Sequence, residues 1–547
     1  MTFDVPIKIA AAVMAVMAGE NVTARKPNVV LYLADDLGVG SINQHAPEWS
    51  FFEDQPEALE QIPLERRIYT PTLEKMAMEG KRLMRSYVGS PVCGPSRHSL
   101  LTGAQPGYLR VRGNGFGENG KTDADLNEET PTLGELFSSN GYTTAAFGKW
   151  GVASGEESSG VPCKRGFESF YGKLGHSDMG HAFPRYMMRC DGTGSNVVSE
   201  KIAANKNPSV KKCLDTDKCS YFDFMIRDKA LEFIQSQQGN KAPFFVYWAT
   251  SAGHSALFEQ VNKFNNCEEK THPVPTYGRY TEEALEGTGR LSDEIRGLMA
   301  MVTYTVDEDM RLLLETLEAN GMEDDTLIVM TSDNGPHREA FRDKDYHPDD
   351  TVAGGGLNGI KRRLREGGIR VPTLLWWPRR IPGGTASYYP FASYDLALTL
   401  ADAAGMTKRK SIRKKFDTGN RGGTSLWKIW KAKNDKKAKA KTRKFINVEM
   451  CFLANSLTSN SNGKNCPVKW VDEVGCGFAY FDLSEWPKRV LKIIQNQPGL
   501  DIEIFDILND PMEQNNIWTE ELEEELLAKR SQNREPICEI EPDDPAC

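Results

Sequence analysis

Two apolar runs that end in paired polar residues constrain the fold of this chain more than any other feature. The run NVVLYLADD, residues 28–36, predicts a buried strand that ends in Asp35 and Asp36. The run TLIVMTSDNG, residues 326–335, ends in the same way in Asp333 and Asn334. Continuous apolar runs of this length are typical of strands that are covered on both faces. Because ligands bind beyond the carboxyl ends of such strands, the sequence predicts a polar site at one edge of a sheet.

Further apolar runs alternate with helical patterns as far as about residue 405. Strands are predicted at TTAAFGKW (143–150), PFFVYWAT (243–250) and IRVPTLLWWP (369–378). Helical patterns are predicted at 222–235 and, as one long helix or two, at 291–320. This alternation predicts an α/β fold with a large, mixed, mostly parallel sheet flanked by helices.

The length of 547 residues exceeds what one ordinary core covers, so a second unit is expected. RVLKIIQN and IEIFDILNDP predict two strands of a smaller C-terminal α+β domain with a short antiparallel sheet. We therefore expect a catalytic domain at 25–405, a basic linker or insertion at 406–444 and the C-terminal unit at 445–547.

The first residues have the pattern of a secretory signal peptide. An apolar stretch from Ile7 to Gly19 contains Lys8 near its start, and small residues precede Arg25. It is too short to span a bilayer, and no other run in the sequence approaches that length. We expect a signal peptide at 1–24, no transmembrane segment and a secreted or lumenal location; a buried N-terminal helix is the alternative.

The eleven cysteines fit an oxidising compartment. Setting Cys93 aside leaves ten that could all pair, and the spacings within 213–219 and 451–476 suggest local disulfides. No C-x-x-C pair supports a zinc site.

Charge is distributed unevenly along the chain. The net charge of −9 gives no indication of nucleic-acid binding. Residues 408–444, however, hold sixteen Lys or Arg against two acids. This segment is either a solvated excursion or a surface that attracts a polyanion.

The segment PVCGPSRHSLLTG, residues 91–103, has the composition of an anion site. Pro95 sets a turn, Ser96 is expected to be a helix N-cap, and Arg97 follows in the first turn. Helix N-termini favour anions, and arginine binds tetrahedral oxyanions through two hydrogen bonds. The segment therefore predicts a sulfate or phosphate group beside residue 93.

This segment resembles the signature of the type I, formylglycine-dependent, arylsulfatase-like sulfatases of the alkaline-phosphatase superfold: C-x-P-S-R, an apolar pair and T-G. The resemblance implies that Cys93 is converted to Cα-formylglycine by the formylglycine-generating enzyme, acting on the unfolded chain. The hydrated aldehyde would be the nucleophile, and Arg97 would stabilise it.

The resemblance extends to a cation site and two lysines. NVVLYLADDLG and TSDNGPH resemble the metal segments of the family, with Asp35, Asp36, Asp333, Asn334 and residue 93 as ligands. Oxygen ligands suit Ca²⁺ or Mg²⁺. FGKWG and IKRRLREGGIRVP resemble the sulfate-binding segments, which implies that Lys149 and Lys361 contact sulfate. Asp333 would also assist deprotonation of the nucleophile.

The histidines depart from the commonest family pattern. Many members read G-K-W-H, where this chain has Gly151. A G-K-W-G branch carries a histidine after G-F-x-x-F-Y-G, which leaves His176 or His181 here, and the H-A-F-P context favours His181 as the base that releases sulfate. His254 would protonate the leaving alcohol.

These resemblances predict a sulfuric ester hydrolase that acts on a sulfated small molecule or polysaccharide, with sulfated carbohydrate favoured. One alternative is a phosphonate or phosphate ester hydrolase of the same superfold. Another alternative is a non-catalytic protein that binds sulfated glycans. Gly151 and the basic segment favour this alternative.

Overall fold

The computed structural model of the chain describes most of its length. The residues described are 25–51, 59–60, 62, 64–109, 111, 113–114, 125–126, 128, 130–175, 182–206, 219–254, 274, 276–285, 293–337, 355–406, 423–437, 444–452, 475–495 and 500–533. The predicted signal peptide, His176 and His181 lie outside these residues.

A sheet of ten strands forms the centre of the larger unit. Its strands are β1 Asn28–Ala34, β2 Lys81–Leu83, β4 Thr143–Lys149, β5 Ser169–Lys173, β6 Tyr186–Asp191, β7 Val198–Lys201, β8 Phe244–Ala249, β9 Thr326–Ser332, β11 Leu374–Trp376 and β12 Thr385–Ser387. Their spatial order is β12-β2-β11-β9-β1-β8-β4-β5-β6-β7. The middle of the sheet, β9-β1-β8-β4-β5, is parallel throughout. Antiparallel pairs at β9-β11, β11-β2, β5-β6 and β6-β7 make the sheet mixed. The predicted fold class is confirmed.

Helices cover both faces of this sheet. They are α1 Pro71–Glu79, α2 Cys93–Thr102, α3 Leu133–Ser138, α4 Phe222–Ser236, α5 Asp293–Met301, α6 Glu308–Ala319, α7 Glu366–Ile369, α8 Leu396–Ala403, α9 Trp427–Trp430 and α10 Glu520–Asn533. Successive side chains of a strand point to opposite faces. Accordingly Val30 and Tyr32 of β1 join a core with α1, α4 and α6, whereas Val29 and Leu31 join a core with α2, α3 and α8. Burial on both faces explains why β1 is apolar throughout.

A second unit consists of a four-stranded antiparallel sheet. Its order is β14-β15-β16-β17, with β14 Phe445–Phe452, β15 Gly475–Asp482, β16 Leu491–Gln495 and β17 Glu503–Asp506, and α10 packs against it. The short antiparallel sheet was predicted, but β14 and β15 were not.

Two predicted elements differ in detail from the observed ones. IRVPTLLWWP forms two short strands, β10 Arg370–Val371 and β11, because Pro372 lies between them and has no N–H to donate. The pattern at 291–320, predicted as one helix or two, forms α5 and α6 with a π-helical segment, Val302–Asp307, between them. Strand β10 pairs with β3 Ser86–Tyr87, which also pairs with β13 Phe391–Ala392.

Two further observations concern disulfides and membranes. Cys163 and Cys190 form a disulfide. Cys219 is also disulfide-bonded. Within the described ranges, no helix is both long and apolar enough to cross a membrane.

Candidate active site

The carboxyl ends of neighbouring parallel strands bring the predicted metal ligands together. Ala34 of β1 pairs with Ser332 of β9, so Asp35 and Asp333 leave the sheet at the same level. The Asp333 Oδ1 atom accepts a hydrogen bond from the Asp36 backbone N–H at 3.1 Å. The predicted polar edge of the sheet therefore exists, and its register follows from the pairing of two strands almost 300 residues apart.

Cys93 begins a helix that is buried along its whole length. Its Sγ atom lies 3.4 Å from Asp35 Oδ1 and 3.8 Å from Asp36 Oδ1. The prediction that Ser96 caps this helix is wrong. The N-cap residue is Val92, and Ser96 is the fourth helical residue, because the helix starts at Cys93 itself.

Arg97, the fifth residue of α2, extends towards the end of β9. Its Nε and Nη2 atoms lie 2.9 Å and 2.7 Å from Asp333 Oδ2, and its Nη1 atom donates to the Lys149 carbonyl at 2.8 Å. All three residues are buried. Arg97 thus fixes the Asp333 carboxylate and the end of β4 in one orientation.

Two buried lysines contact the paired aspartates. Lys149, the last residue of β4, donates to Asp35 Oδ2. Lys361 Nζ donates to Asp36 Oδ2 at 2.9 Å and lies 3.3 Å from His254 Nε2. Since a buried charge requires a partner, each lysine is held at the site by a carboxylate that also faces residue 93.

The oxygen atoms of this site fit a hard divalent cation. Asn334 Oδ1 is buried and accepts no hydrogen bond from the described residues, while Asn334 Nδ2 donates to Asp36 Oδ1 at 2.6 Å. Donor atoms of Asp35, Asp36, Cys93 and His254 lie within 4.8 Å of one another. A buried carbonyl oxygen beside three carboxylates is the donor chemistry of Ca²⁺ or Mg²⁺ sites. Without a cation, Asn334 Oδ1 would remain an unsatisfied polar atom.

Burial and neighbouring charges shift the pKa values of Asp35 and Asp333 in opposite directions. Burial alone would raise the pKa of Asp35, but Lys149, His254 and Arg97 hold that pKa well below its usual range. Burial and the charge of Asp35 raise the pKa of Asp333 to about 6, against the opposing effect of Arg97. Burial and Asp333 raise the pKa of the Cys93 thiol well above its usual range.

His254 lies at the same edge, on a turn that follows β8. Asp223 of α4 holds this turn by accepting hydrogen bonds from Thr250 Oγ1 at 2.6 Å and the Ser251 N–H at 2.7 Å. The His254 Nε2 atom lies 3.6 Å from Asp36 Oδ2. Burial and the neighbouring charge of Lys361 lower the pKa of His254 to about 4.

The sequence analysis missed two polar residues of this site. His337 Nδ1 lies 3.7 Å from Asp36 Oδ2, and the His337 ring lies 5.4 Å from that of His254. Its position three residues after Asn334, in TSDNGPH, was the signal that could have found it. Asn114 Oδ1 accepts a hydrogen bond from the Gly94 N–H at 2.9 Å, and no pattern in the sequence indicated it.

Gly151, where the sequence departs from the commonest pattern of the family that it resembles, faces Arg97. Its φ is 74°, a left-handed conformation that favours glycine. A Cβ atom at this position would lie 3.2 Å from Arg97 Cδ. Glycine at position 151 therefore allows Arg97 to approach the backbone more closely than a side chain would. The predicted substitute for the histidine, His181, lies outside the described residues.

Known proteins resemble this chain in sequence. The family model described as Sulfatase matches residues 27–406. The N-acetylgalactosamine-6-sulfatase of Mus musculus is 27% identical over 395 residues, which cover 70% of this chain and 63% of the mouse protein. Arylsulfatase A of Homo sapiens is 27% identical over 402 residues, 72% of this chain and 66% of the human protein. The chain thus aligns with less than two thirds of these relatives' own length.

Solved structures resemble this chain over a larger share of its length than the sequence relatives do. The crystal structure of Ps i-CgsB in complex with k-i-k-neocarrahexaose has a TM-score of 0.61 at 21% identity, covering 93% of this chain and 94% of that one. The structure of BT4656 in complex with its substrate D-glucosamine-2-N,6-O-disulfate has a TM-score of 0.59 at 18% identity, covering 95% and 99%. At these identities the likeness concerns the fold alone. The family match over most of the chain shows that this protein belongs to the sulfatase family.

Proposed function

We propose that this protein hydrolyses sulfate esters through a Cα-formylglycine formed from Cys93. One observation carries the proposal. Cys93 begins a buried helix with its Sγ atom 3.4 Å from Asp35, at a site that also contains Arg97, Lys149 and Lys361. Such a group of cations around one residue suits a substrate that carries a tetrahedral anion.

An unmodified Cys93 would be a poor nucleophile in this environment. The reactive form of cysteine is the thiolate, and burial together with Asp333 raises the pKa of this thiol. These features favour conversion of Cys93 over thiol chemistry. Formylglycine at position 93 would supply an oxygen nucleophile, and a divalent cation would supply charge stabilisation.

Each of the remaining side chains at the site would then have its own part in the reaction. Arg97 orients Asp333, whose carboxylate assists loss of the proton from the nucleophile. Lys149 and Lys361 neutralise sulfate oxygens where negative charge develops. Because the lowered pKa of His254 leaves its imidazole neutral near pH 7, we propose that His254 acts together with Lys361, whose Nζ atom lies 3.3 Å from His254 Nε2, to give a proton to the leaving alcohol. His181 remains the proposed base for release of sulfate. Asp35, Asp36, Asp333 and Asn334 would hold Ca²⁺ or Mg²⁺ together with residue 93.

The substrate that we propose is a sulfated carbohydrate. Sequence relatives include an N-acetylgalactosamine-6-sulfatase, and BT4656, which shares the fold, has D-glucosamine-2-N,6-O-disulfate as its substrate. The basic segment adds a surface that could hold a polyanion. Part of that segment, 423–437, packs on the larger unit, where Ile429 and Trp430 are buried.

The role of the basic segment can be tested without disturbing this packing. The triple variant K439Q/K441Q/R443Q changes only residues after 437. We expect the variant to have a lower kcat/KM than wild type on sulfated polysaccharide and an unchanged kcat/KM on a small aryl sulfate. At high salt, the difference between variant and wild type on the polysaccharide should disappear. Equal activity of variant and wild type on the polysaccharide at low salt would contradict the polyanion idea.

We also propose secretion, with the signal peptide removed and maturation by the formylglycine-generating enzyme. The Cys163–Cys190 disulfide supports an oxidising compartment.

The test of the function is the mass of the peptide that contains Cys93, in protein made by a host that converts a reference sulfatase. We expect an aldehyde in place of the thiol, reaction with an aldehyde probe, and hydrolysis of aryl sulfate that is lost in C93A. Faster turnover of an aryl phosphonate than of the matched sulfate would identify a phosphonate hydrolase. An unmodified thiol, with the reference sulfatase converted, would contradict the proposal and favour a non-catalytic glycan-binding protein.

A further inference from the structure

A buried charged cluster joins the C-terminal sheet to the larger unit. Glu366 lies at its centre, at the start of α7. Lys492 of β16 donates to Glu366 Oε1 at 2.9 Å and to Glu513 Oε1 at 2.8 Å. Tyr87 of β3 donates to Glu366 Oε2 at 3.0 Å. These four residues are each at most 4% exposed, so solvent screens their interactions little.

Glu513 holds the backbone of α7 as well as its first side chain. Its Oε2 atom accepts a hydrogen bond from the Glu366 N–H at 2.9 Å. Its φ is 55°, a left-handed conformation that non-glycine residues rarely adopt. A residue kept in such a conformation requires surroundings that over-determine it. The hydrogen bonds that the two carboxylate oxygens of Glu513 accept, from Lys492 Nζ and from the Glu366 N–H, provide such surroundings.

From α7 the contacts continue directly to the candidate active site. The Gly335 N–H donates to the Gly368 carbonyl at 3.0 Å, and Gly335 follows Asn334 in the chain. A Cβ atom on Gly335 would lie 1.9 Å from the Gly367 carbonyl oxygen, which shows how closely the two backbones approach. The segment after Asn334 is therefore packed on α7 without space for a side chain.

The segment that carries Lys361 is attached to the same helix. The Gly367 N–H donates to the Asn358 carbonyl at 2.7 Å. The Lys361 N–H donates to the Pro336 carbonyl at 2.9 Å, and the Arg362 N–H donates to the Pro91 carbonyl at 2.9 Å. Displacement of α7 would thus move Lys361, the segment after Asn334 and the residues that precede Cys93.

We propose that Lys492 and Glu513 of the C-terminal unit are positioning residues that hold α7, and through it Lys361 and Asn334, in their places at the active site. This inference rests on the proposed function for its catalytic consequence, but the positioning itself can be measured without activity. It assigns a part in the reaction to a sheet that contributes no residue to the site described above.

The experiment compares K492M and E513Q with K529M in the complete chain with residue 93 converted. K529M is a matched control, because Lys529 lies on α10 of the same unit and pairs with Asp482 at 2.6 Å and Glu525 at 2.7 Å. E513Q preserves the shape of the side chain and an oxygen acceptor for the Glu366 N–H, so the comparison remains available if K492M does not fold.

Amide hydrogen exchange is the readout that does not depend on activity. We expect K492M and E513Q to speed exchange about tenfold in peptides covering 333–336 and 358–369, with little change in β1 and β8. We expect kcat on an aryl sulfate to fall about 10–100-fold, as small displacements of catalytic groups cause. K529M should stay within about twofold of wild type in both.

Each outcome distinguishes the positioning from the proposed function. Unchanged exchange at 333–336 and 358–369 with unchanged kcat would overturn the positioning role. A uniform increase of exchange throughout the protein would overturn it in favour of a general structural role. Local exchange that rises in a protein whose wild type hydrolyses no sulfate ester would support the positioning and contradict the proposed function.

Discussion

Lys361 and Arg363 are close in sequence but lie in opposite environments. Lys361 is buried and donates to Asp36, whereas Arg363 is exposed. A cation that is already oriented in a buried site stabilises developing negative charge far better than one in water. In the proposed reaction, the position of the side chain, more than its charge, would therefore decide which basic residue of IKRRLREGG acts on sulfate.

This difference predicts unequal effects of two alanine substitutions. K361A should lower kcat on an aryl sulfate about 10²–10³-fold, equivalent to about 3–4 kcal/mol of transition-state stabilisation. R363A should stay within about twofold of wild type. Steady-state kinetics of both variants checks this, and a similar loss in R363A would show that the register assigned to the family segment is wrong.

Asn334 predicts a dependence on divalent cations. Its Oδ1 atom lacks a hydrogen-bond donor among the described residues and faces a site rich in carboxylates. Chelation should abolish activity, and Ca²⁺ or Mg²⁺ should restore it. N334A should raise the cation concentration needed for half-maximal activity about 10–100-fold, similar to other losses at metal sites.

Asn447 provides a control of the same chemistry. It is also a buried asparagine whose Oδ1 atom has no hydrogen-bond partner within the described part of the chain, but it lies in the C-terminal sheet. N447A should leave the cation requirement unchanged. If N334A and N447A have the same requirement as wild type, Asn334 is not a cation ligand.

At the scale of elements, a carboxylate from the π-helical segment caps α1. Asp307 accepts hydrogen bonds from the N–H groups of Thr72 at 3.2 Å and Leu73 at 2.8 Å. The first N–H groups of a helix have no partner within the helix, and acidic residues suit that position. Burial nevertheless raises the pKa of Asp307 to about 6.

This raised pKa predicts a pH-dependent contribution to stability. An unfolded aspartate has a pKa of about 3.9, so between about pH 4 and 6 the folded state binds more protons than the unfolded state. The contribution is therefore full below about pH 4 and is lost as the pH rises through about 6. Its size is at most about 3 kcal/mol.

D307N removes the titrating group and provides the measurement. The free energy of unfolding of wild type minus that of D307N should fall by up to about 3 kcal/mol between pH 4 and pH 7, as measured by urea unfolding. A difference that is constant over this range would mean that Asp307 is already ionised throughout it.

At the scale of the whole molecule, the two units share one apolar core. Val88 and Leu364 of the larger unit pack in the same cluster as Val448 and Phe481 of the C-terminal sheet. The rings of Tyr87 and Phe481 lie 4.5 Å apart. Burying one large apolar side chain stabilises a protein by about 1.5–3 kcal/mol, against a total stability of about 5–15 kcal/mol.

We therefore expect the two units to unfold together. A chain that ends at residue 406 would expose several side chains of this cluster and should not fold cooperatively. Calorimetry of the complete chain should show a single transition. Two separated transitions, or a cooperative transition in the shortened chain, would show that the larger unit is stable alone.

The sequence by itself determined the parts of this protein that depend on local pattern. Apolar runs predicted β1, β4, β8 and β9 because a strand buried on both faces must be apolar along its length. The segment 91–103 and the polar ends of β1 and β9 indicated most of the site, since these residues lie next to each other in the chain or at the ends of recognisable strands. Lys149, Lys361 and His254 were found by their family segments, and the structure brings all three to the same edge.

Only the tertiary structure decided what depends on pairing across long distances in sequence. The hydrogen bond between Lys492 and Glu366 joins residues 126 positions apart, and the contact between Gly94 and Asn114 arises in a loop without a regular pattern. His337, the start of α2 at Cys93 and the strands β14 and β15 also required the structure. The physical reason is that local patterns determine whether a segment is a strand or a helix, whereas the packing of all segments together determines which side chains meet.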